Sequence, residues 1–268
     1  MTTVRVERRG GAAVVFYANP PLGTMTAAGS VEMRDAVRQA ASDPAVRSII
    51  LTGGLEGIFV RHYDVGELAT ASERMSGAPA APTAAATAPG AHEGGAFAEL
   101  VDLLAAAPKP VIAAINGLCM GGGFEIALAC DLRLASHTVT AIGLPETRVG
   151  IFPGGGGTQR LPRVIGEAKA LEMILRGLVV DGQRAFEIGL VHEVVADALA
   201  RALEIAAEFD QRGADGLAFA KRLTRAALDR PVAVGLSDER RSFAEVMTKS
   251  SAREGLRSAR PPAAIQDL

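Results

Sequence analysis

The sequence has no tryptophan and only two tyrosines, Tyr17 and Tyr63. A surface that binds single strands by stacking bases on aromatic rings has little to be built from. A basic excess is also missing: 28 Lys and Arg stand against 30 Asp and Glu, a formal net charge of -2. That balance does not favour a phosphate backbone as partner. Cysteine is scarce. Cys119 and Cys130 both stand in apolar, Ala-rich sequence, where a free thiol behaves as a small hydrophobe. Neither a disulfide framework nor metal-ligand spacing is visible, so no metal site is expected. No uninterrupted apolar run reaches membrane length. The longest apolar region, residues 110–130, is broken by four Gly, an Asn and a Glu, and falls short of a span. The opening MTTVRVERRG contains no apolar stretch of signal-peptide length. These absences point to a cytoplasmic protein with neither nucleic acid nor membrane as partner.

What is present is the composition of a packed globular protein: 268 residues, 49% hydrophobic and 22% charged. Strand signals at residues 4–9 and 12–17 flank Gly10-Gly11, a two-residue hairpin signal. Residues 26–41 have helical character, closed by Asp43-Pro44. VRSIIL at 46–51 reads as a buried strand stopped by Gly53-Gly54. Residues 97–106 read as a helix ended by Pro108, 111–115 as a strand, and a helix opens at Gly122 or Gly123 and runs to Cys130. Short strands are expected at 132–135 and 139–142. After Gly166 helices dominate, at 167–176, 182–188, 196–210, 216–229 and 232–247, with one strand at 190–195. The pattern is an α/β core over residues 1–195 followed by a helical C-terminal segment, 196–268. Residues 69–95 are rich in Ala, Pro, Gly, Thr and Ser, with almost nothing bulky to bury. Ordering them would cost chain entropy without return, so a mobile surface loop is expected there.

The chemistry concentrates between residues 109 and 163. From Lys109 to Asp131 the only charged side chain is Glu125, set among Phe124, Ile126, Ala127 and Leu128. A carboxylate there is costly unless it is paired, hydrogen-bonded or protonated. It is either a Glu reaching solvent from the first turn of a helix or a carboxyl tuned by burial for proton transfer. Gly121, Gly122 and Gly123 precede it where the helix begins, and unpaired N–H groups point outward at such a start. These are oxyanion donors if a ligand sits there, and a tight turn if none does. Glu146 follows Pro145, twenty-one residues after Glu125. Gly154–Gly157 lacks the Lys-Ser/Thr of a P-loop and does not fit G-x-G-x-x-G, so a structural bend is expected.

Together, KPVIAAING, GGGFEIALACD, LPE and IFPGGGGTQRL resemble the crotonase superfamily, in particular its enoyl-CoA hydratases. The resemblance runs from about Val4 to the C-terminal helices, leaving out 69–95. It implies a repeated ββα spiral core, and a C-terminal helical segment used for assembly into a homotrimer or a dimer of trimers. It implies an acyl-CoA thioester as substrate, with coenzyme A part of that substrate and no separate cofactor. Glu125 and Glu146 match the two catalytic glutamates. Gly122 matches one backbone donor of the oxyanion hole, and Tyr63 the other. Val60, Arg61, His62, Tyr63, Asp64, Gly121 and Gly122 then line the path of the substrate and its CoA. Lys221, Arg222, Lys249 and Arg253 are the basic residues from which phosphate contacts are to be drawn.

One departure stands out. The resemblance puts a glycine before the second donor, and here it is His62, flanked by Arg61 and Tyr63. A histidine costs more than glycine if the position needs positive φ. Other readings compete. Gly117-Leu-Cys119-Met-Gly121 spells G-x-C-x-G between a strand and a helix, the pattern of a nucleophile elbow. That makes a thioesterase using Cys119 a rival. Isomerase, dehydratase and hydrolase chemistry also occur on the resembled fold. A silent scaffold or RNA binder would draw on Lys221, Arg222 and Arg225.

Overall fold

The structure, a computed structural model, describes residues 2–77 and 95–259. Most of the stretch expected as a loop lies outside them.

The N-terminal hairpin forms where its glycines signal it. β1 (Val4–Arg9) and β2 (Ala12–Tyr17) pair antiparallel with Arg9 opposite Ala12. Gly10 takes a φ of 60°, the left-handed conformation such a turn needs. α1 (Ala27–Ser42) is capped by Thr26, whose Oγ1 accepts the N–H of Gly29 at 3.0 Å. Met33, Val37 and Ala40, spaced three and four apart, form its buried stripe.

From there two strands and a helix recur. The first unit is β3 (Ser48–Gly53), β4 (Ile58–Val60) and α2 (Val65–Ser76); α3 (Gly95–Ala106) leads into the second. That second unit is β5 (Val111–Ile115), β6 (Leu118–Met120) and α4 (Gly122–Ala129). The third is β7 (Leu132–Ser136), β8 (Ile142–Gly143) and a 3-10 turn, Glu146–Val149. Then come α5 (Gly157–Ile165), α6 (Glu167–Leu175), β9 (Val179–Val180), α7 (Gly182–Glu187) and β10 (Glu193–Val195). The chain continues through α8 (Ala198–Asp210), α9 (Ala214–Arg225), α10 (Val232–Val246) and α11 (Ser250–Ser258). The first strand of each unit joins a six-stranded sheet, ordered β1-β2-β3-β5-β7-β10. The second joins a four-stranded sheet, β4-β6-β8-β9. This alternation is the ββα spiral of the crotonase fold.

The central strands of the six-stranded sheet, β2, β3 and β5, are buried on both faces, so they read as continuous apolar runs. Successive residues of β2 sort to opposite sides. Ala13, Val15 and Tyr17 enter the larger core with α1, α3 and α4. Ala12, Val14 and Phe16 meet Ala198, Ala202, Ile205 and Ala206 of α8. The first helix of the segment beginning at 196 is thus a layer of the core, while α9 is tied through Lys221 and Arg225 to Asp131, just before β7.

Several boundaries differ from expectation. The strand expected at 46–51 is Ser48–Gly53, the one at 139–142 shrinks to β8, and the helix at 216–229 is Ala214–Arg225. Residues 69–76, grouped with the loop, belong to α2. Asp64 nucleates that helix, its side chain accepting the N–H of Glu67 at 3.1 Å, and Ala-rich sequence propagates it. Among the described residues no helix is long and apolar enough to cross a membrane.

Candidate active site

α4 is buried on every side, so it carries no solvent face and its ends need partners inside the protein. At its C-terminal end buried Arg133 donates Nη1 to Cys130 O at 3.0 Å and to Ala127 O, and Nε to Leu190 O at 2.8 Å. At its N-terminal end the backbone approaches the β4 segment too closely for any side chain. A Cβ on Gly123 would overlap the carbonyl of Val60. Gly121, at φ 50°, turns the chain into the helix in a conformation that favours glycine. Gly122 then stands beside Tyr63: a Cβ placed on it would lie 3.4 Å from Tyr63 N. Gly122 N–H is the first of α4 and has no intrahelical acceptor. Among the described residues Tyr63 N–H has no acceptor either.

Glu125 is 4% exposed. Its Oε1 accepts Gly155 N–H at 2.7 Å and Gly157 N–H at 2.8 Å. Burial raises its pKa above the ordinary carboxylate value, while these two bonds and the charge of Arg160 pull it back. The glycine run expected as a plain bend therefore does more than turn the chain. It aims two N–H groups at a buried carboxylate, leaving Oε2 as the other oxygen. Residue patterns at the sequence level mark flexibility there, not the direction of the N–H groups.

Glu146 opens the 3-10 turn after Pro145. Its Oε2 is buried and has no hydrogen-bond partner. Burial pushes its pKa up to about 7, and the charge of Glu125 acts in the same direction. A Cβ on Gly121 would lie 3.2 Å from Glu146 Oε1 and 3.6 Å from His62 Cβ. Both glutamates, His62, Tyr63, Gly121 and Gly122 line one cavity of about 920 Å³, a size suited to a small-molecule ligand.

Val60, Arg61 and Asp64 are not on its walls. Val60 is packed in the core, and Asp64 caps α2 while accepting Thr24 Oγ1 at 3.1 Å. Residues not singled out from the sequence complete the lining. Phe97 of α3 meets the Tyr63 ring edge-on at 5.4 Å. Leu68, Ala71 and Arg74 come from α2, and Val149, Ile151 and Phe152 from the segment after Glu146. The Asp64-to-Glu67 cap spacing was the available signal for α2.

His62 brings no backbone strain, because no non-glycine residue in the described chain has positive φ. Its Nδ1 lies 2.7 Å from Tyr63 O. A carbonyl only accepts, so Nδ1 is the donor there and Nε2 is left as the second ring nitrogen. Cys119 has no access to the cavity. It is 0% exposed, burial pushes its thiol well above the ordinary value, and it is absent from the lining. A thiolate nucleophile has no basis there. The basic patch is also used internally. Lys221 and Arg225 pair with Asp131 at 2.8 Å each, and Arg222 with Asp238 at 2.9 Å. Lys249 pairs with Glu245 at 3.3 Å. Among the described residues no cluster of three His, Cys, Asp or Glu side chains could hold a metal.

Comparison with known proteins shows the family and the fold. The enoyl-CoA hydratase/isomerase family model matches residues 7–262. A Bacillus subtilis (strain 168) protein named as an enoyl-CoA hydratase/isomerase is 46% identical over 158 residues, 58% of this chain and 60% of that relative. The match thus spans less than two thirds of that relative's length. The mitochondrial methylglutaconyl-CoA hydratase of Rattus norvegicus is 36% identical over 230 residues, 82% of this chain and 68% of the relative. The crystal structure of an enoyl-CoA hydratase from Bacillus anthracis superposes with a TM-score of 0.83 at 29% identity, covering 96% of this chain and 95% of that one. A spiral of ββα units, a family match over nearly the whole length and relatives of this similarity leave one assignment: the chain belongs to the enoyl-CoA hydratase/isomerase family.

Proposed function

We propose that the protein is an enoyl-CoA hydratase, adding water reversibly to the double bond of a 2-enoyl-CoA thioester. The observation that carries this reading is the meeting of a buried carboxyl, a half-buried one and two unpartnered backbone donors in one cavity. The thioester oxygen accepts the N–H groups of Tyr63 and Gly122. Such donors stabilise the negative charge that develops on oxygen as water adds, each by about 3–4 kcal/mol. Glu125, steadied by Gly155 and Gly157, takes a proton from the water that attacks Cβ. Glu146, whose pKa of about 7 leaves a substantial protonated fraction at neutrality, delivers a proton to Cα. Two neighbouring carboxyls seldom ionise together, and one shared proton suits this division of roles. The reverse direction is dehydration of a hydroxyacyl-CoA.

Coenzyme A enters as part of the substrate, along the His62–Tyr63 and Gly121–Gly122 backbones. The two free, buried cysteines suit a reducing compartment, and the cytoplasm is proposed as the location. Assembly into a homotrimer or a dimer of trimers belongs to the same proposal. An exposed apolar row on α10 and its C-cap, Val232, Leu236, Phe243 and Met247, supports it.

The test is replacement of each glutamate by glutamine, assayed with enoyl-CoAs of varied length and branching. Each variant is expected to lose roughly 10²- to 10⁴-fold in kcat while still binding an acyl-CoA. Hydration by the wild type is expected to fall as pH rises through about 7, as Glu146 loses its proton. Full turnover by both variants on every substrate would end this reading.

A further inference from the structure

Two cavities back onto one turn. Gly154 and Gly155 line the cavity that contains Glu125 and Glu146, and also a second cavity of about 960 Å³ that includes residues of α3, α5 and α9. Toward Glu125 the turn presents Gly155 N–H and Gly157 N–H, both donated to Oε1. Arg160, in the first turn of α5, reaches the same turn from the second cavity. Its Nη1 donates to Gly155 O at 2.9 Å, and its Nη2 to Oδ1 of Asp102 on α3 at 3.0 Å. Arg160 is not on the wall of the Glu125 cavity and meets that site through the turn.

The order of the peptides gives this contact its meaning. Gly155 O belongs to the peptide joining Gly155 to Gly156. The two N–H groups on Glu125 belong to the peptides immediately before and after it. Peptide units are rigid planes, so pinning the middle one restricts both neighbours. Gly156, at φ 99°, has no side chain, and a Cβ there would overlap the Arg160 guanidinium. The planar fork of Arg reaches a carbonyl and a carboxylate at once, which Lys cannot do in the same geometry.

We propose that Arg160 is a positioning residue for the reaction, clamping the Gly154–Gly157 turn to α3 so that two N–H groups stay on Glu125 and its second oxygen stays directed at the water. This rests on the reading of Glu125 as the base. The guanidinium charge adds to the effect by favouring ionised Glu125.

The experiment compares Arg160→Met, Arg160→Lys and Arg163→Met with the wild type. Folding is followed by circular dichroism, and kcat and KM for crotonyl-CoA are measured across pH. Arg160→Met is expected to lower kcat roughly 10²-fold with KM within about threefold, because a base displaced by about 1 Å loses that much. The acid limb of its kcat profile moves to higher pH, since Glu125 then holds its proton more tightly. Arg160→Lys keeps the charge and loses the fork, so its acid limb stays near wild type while kcat falls about 10-fold. Arg163, which pairs with Asp229 at 2.6 Å, serves as the control and its variant matches wild type. A folded Arg160→Met with unchanged kcat and acid limb overturns the proposal, whatever its thermal stability. If that variant does not fold, wild-type kcat in Arg160→Lys overturns it equally. Glu125→Gln runs in parallel: full turnover there removes the base itself, and the proposal with it, a failure distinct from that of the clamp.

Discussion

A half-buried carboxyl with one oxygen sealed from water and unpartnered works against the fold once it ionises, and Glu146 is such a group. Its folded pKa of about 7 lies above the ordinary value of 4.5. Below that ordinary value the acid is protonated in both the folded and unfolded chain, and its contribution to stability is fully present. As pH rises the unfolded chain ionises first, and the contribution is lost progressively until the folded pKa is passed. Glu146→Gln mimics the protonated acid at every pH. It is expected to be more stable than the wild type by on the order of 1–3 kcal/mol above neutrality. The difference vanishes at acid pH. Denaturant melts of both proteins at the two extremes check this, and equal midpoints at alkaline pH would contradict it. The same variant loses activity, so a stabilised but inactive protein is the signature of a strained site.

At the level of elements, the site depends on how closely α4 meets the end of β4. Gly123 is the contact point, because its Cβ would overlap Val60 O. Backbone has no rotamer with which to yield, so Gly123→Ala must push helix and strand apart. A loss of about 3 kcal/mol or more is expected, read as a large fall in thermal midpoint or in soluble yield. Gly150 has a positive φ of 79° and open space where a Cβ would stand. Its alanine variant is strained by conformation alone and is expected to cost about 1 kcal/mol. α2 shows how a short cap outweighs composition. Its Ala-rich continuation looked like loop beside the uncharged run, yet Asp64 and Glu67 open it as a helix.

Across the whole molecule, Asp131 ties the late helices to the core. It pairs with Lys221 and Arg225 of α9 and accepts Val111 N–H of β5 at 2.8 Å. The Lys221 side chain is only 9% exposed. Removing Asp131 leaves that cation buried without its carboxylate, so Asp131→Ala is expected to destabilise by about 3–5 kcal/mol in urea unfolding. Earlier proteolysis around α9 should accompany it. Loss confined to tenths of a kcal/mol would mean that water reaches Lys221 easily. The apolar row on α10 makes the proposed assembly testable at this scale. Phe243→Glu is expected to shift the sedimentation coefficient toward the monomer, whereas an unchanged value would remove α10 from the interface.

The amino-acid sequence by itself determined the local and the chemical alphabet of this protein. The hairpin, α1, the buried strands and the first turn of α4 follow from residue patterns, since turn chemistry, capping and apolar periodicity act over a few residues. Glu125 stood out because a lone charge in apolar sequence is costly, whereas Glu146, in a turn beside Arg148, took its role from the family resemblance. Tertiary structure alone decided which groups meet. It placed Gly155 and Gly157 on Glu125, left one oxygen of Glu146 unpartnered, consumed the Lys221–Arg225 patch in internal ion pairs, and sealed Cys119 from the cavity. It also made α8 a layer of the core. These outcomes depend on contacts between segments far apart along the chain, and on where N–H groups point in space, which no local pattern encodes.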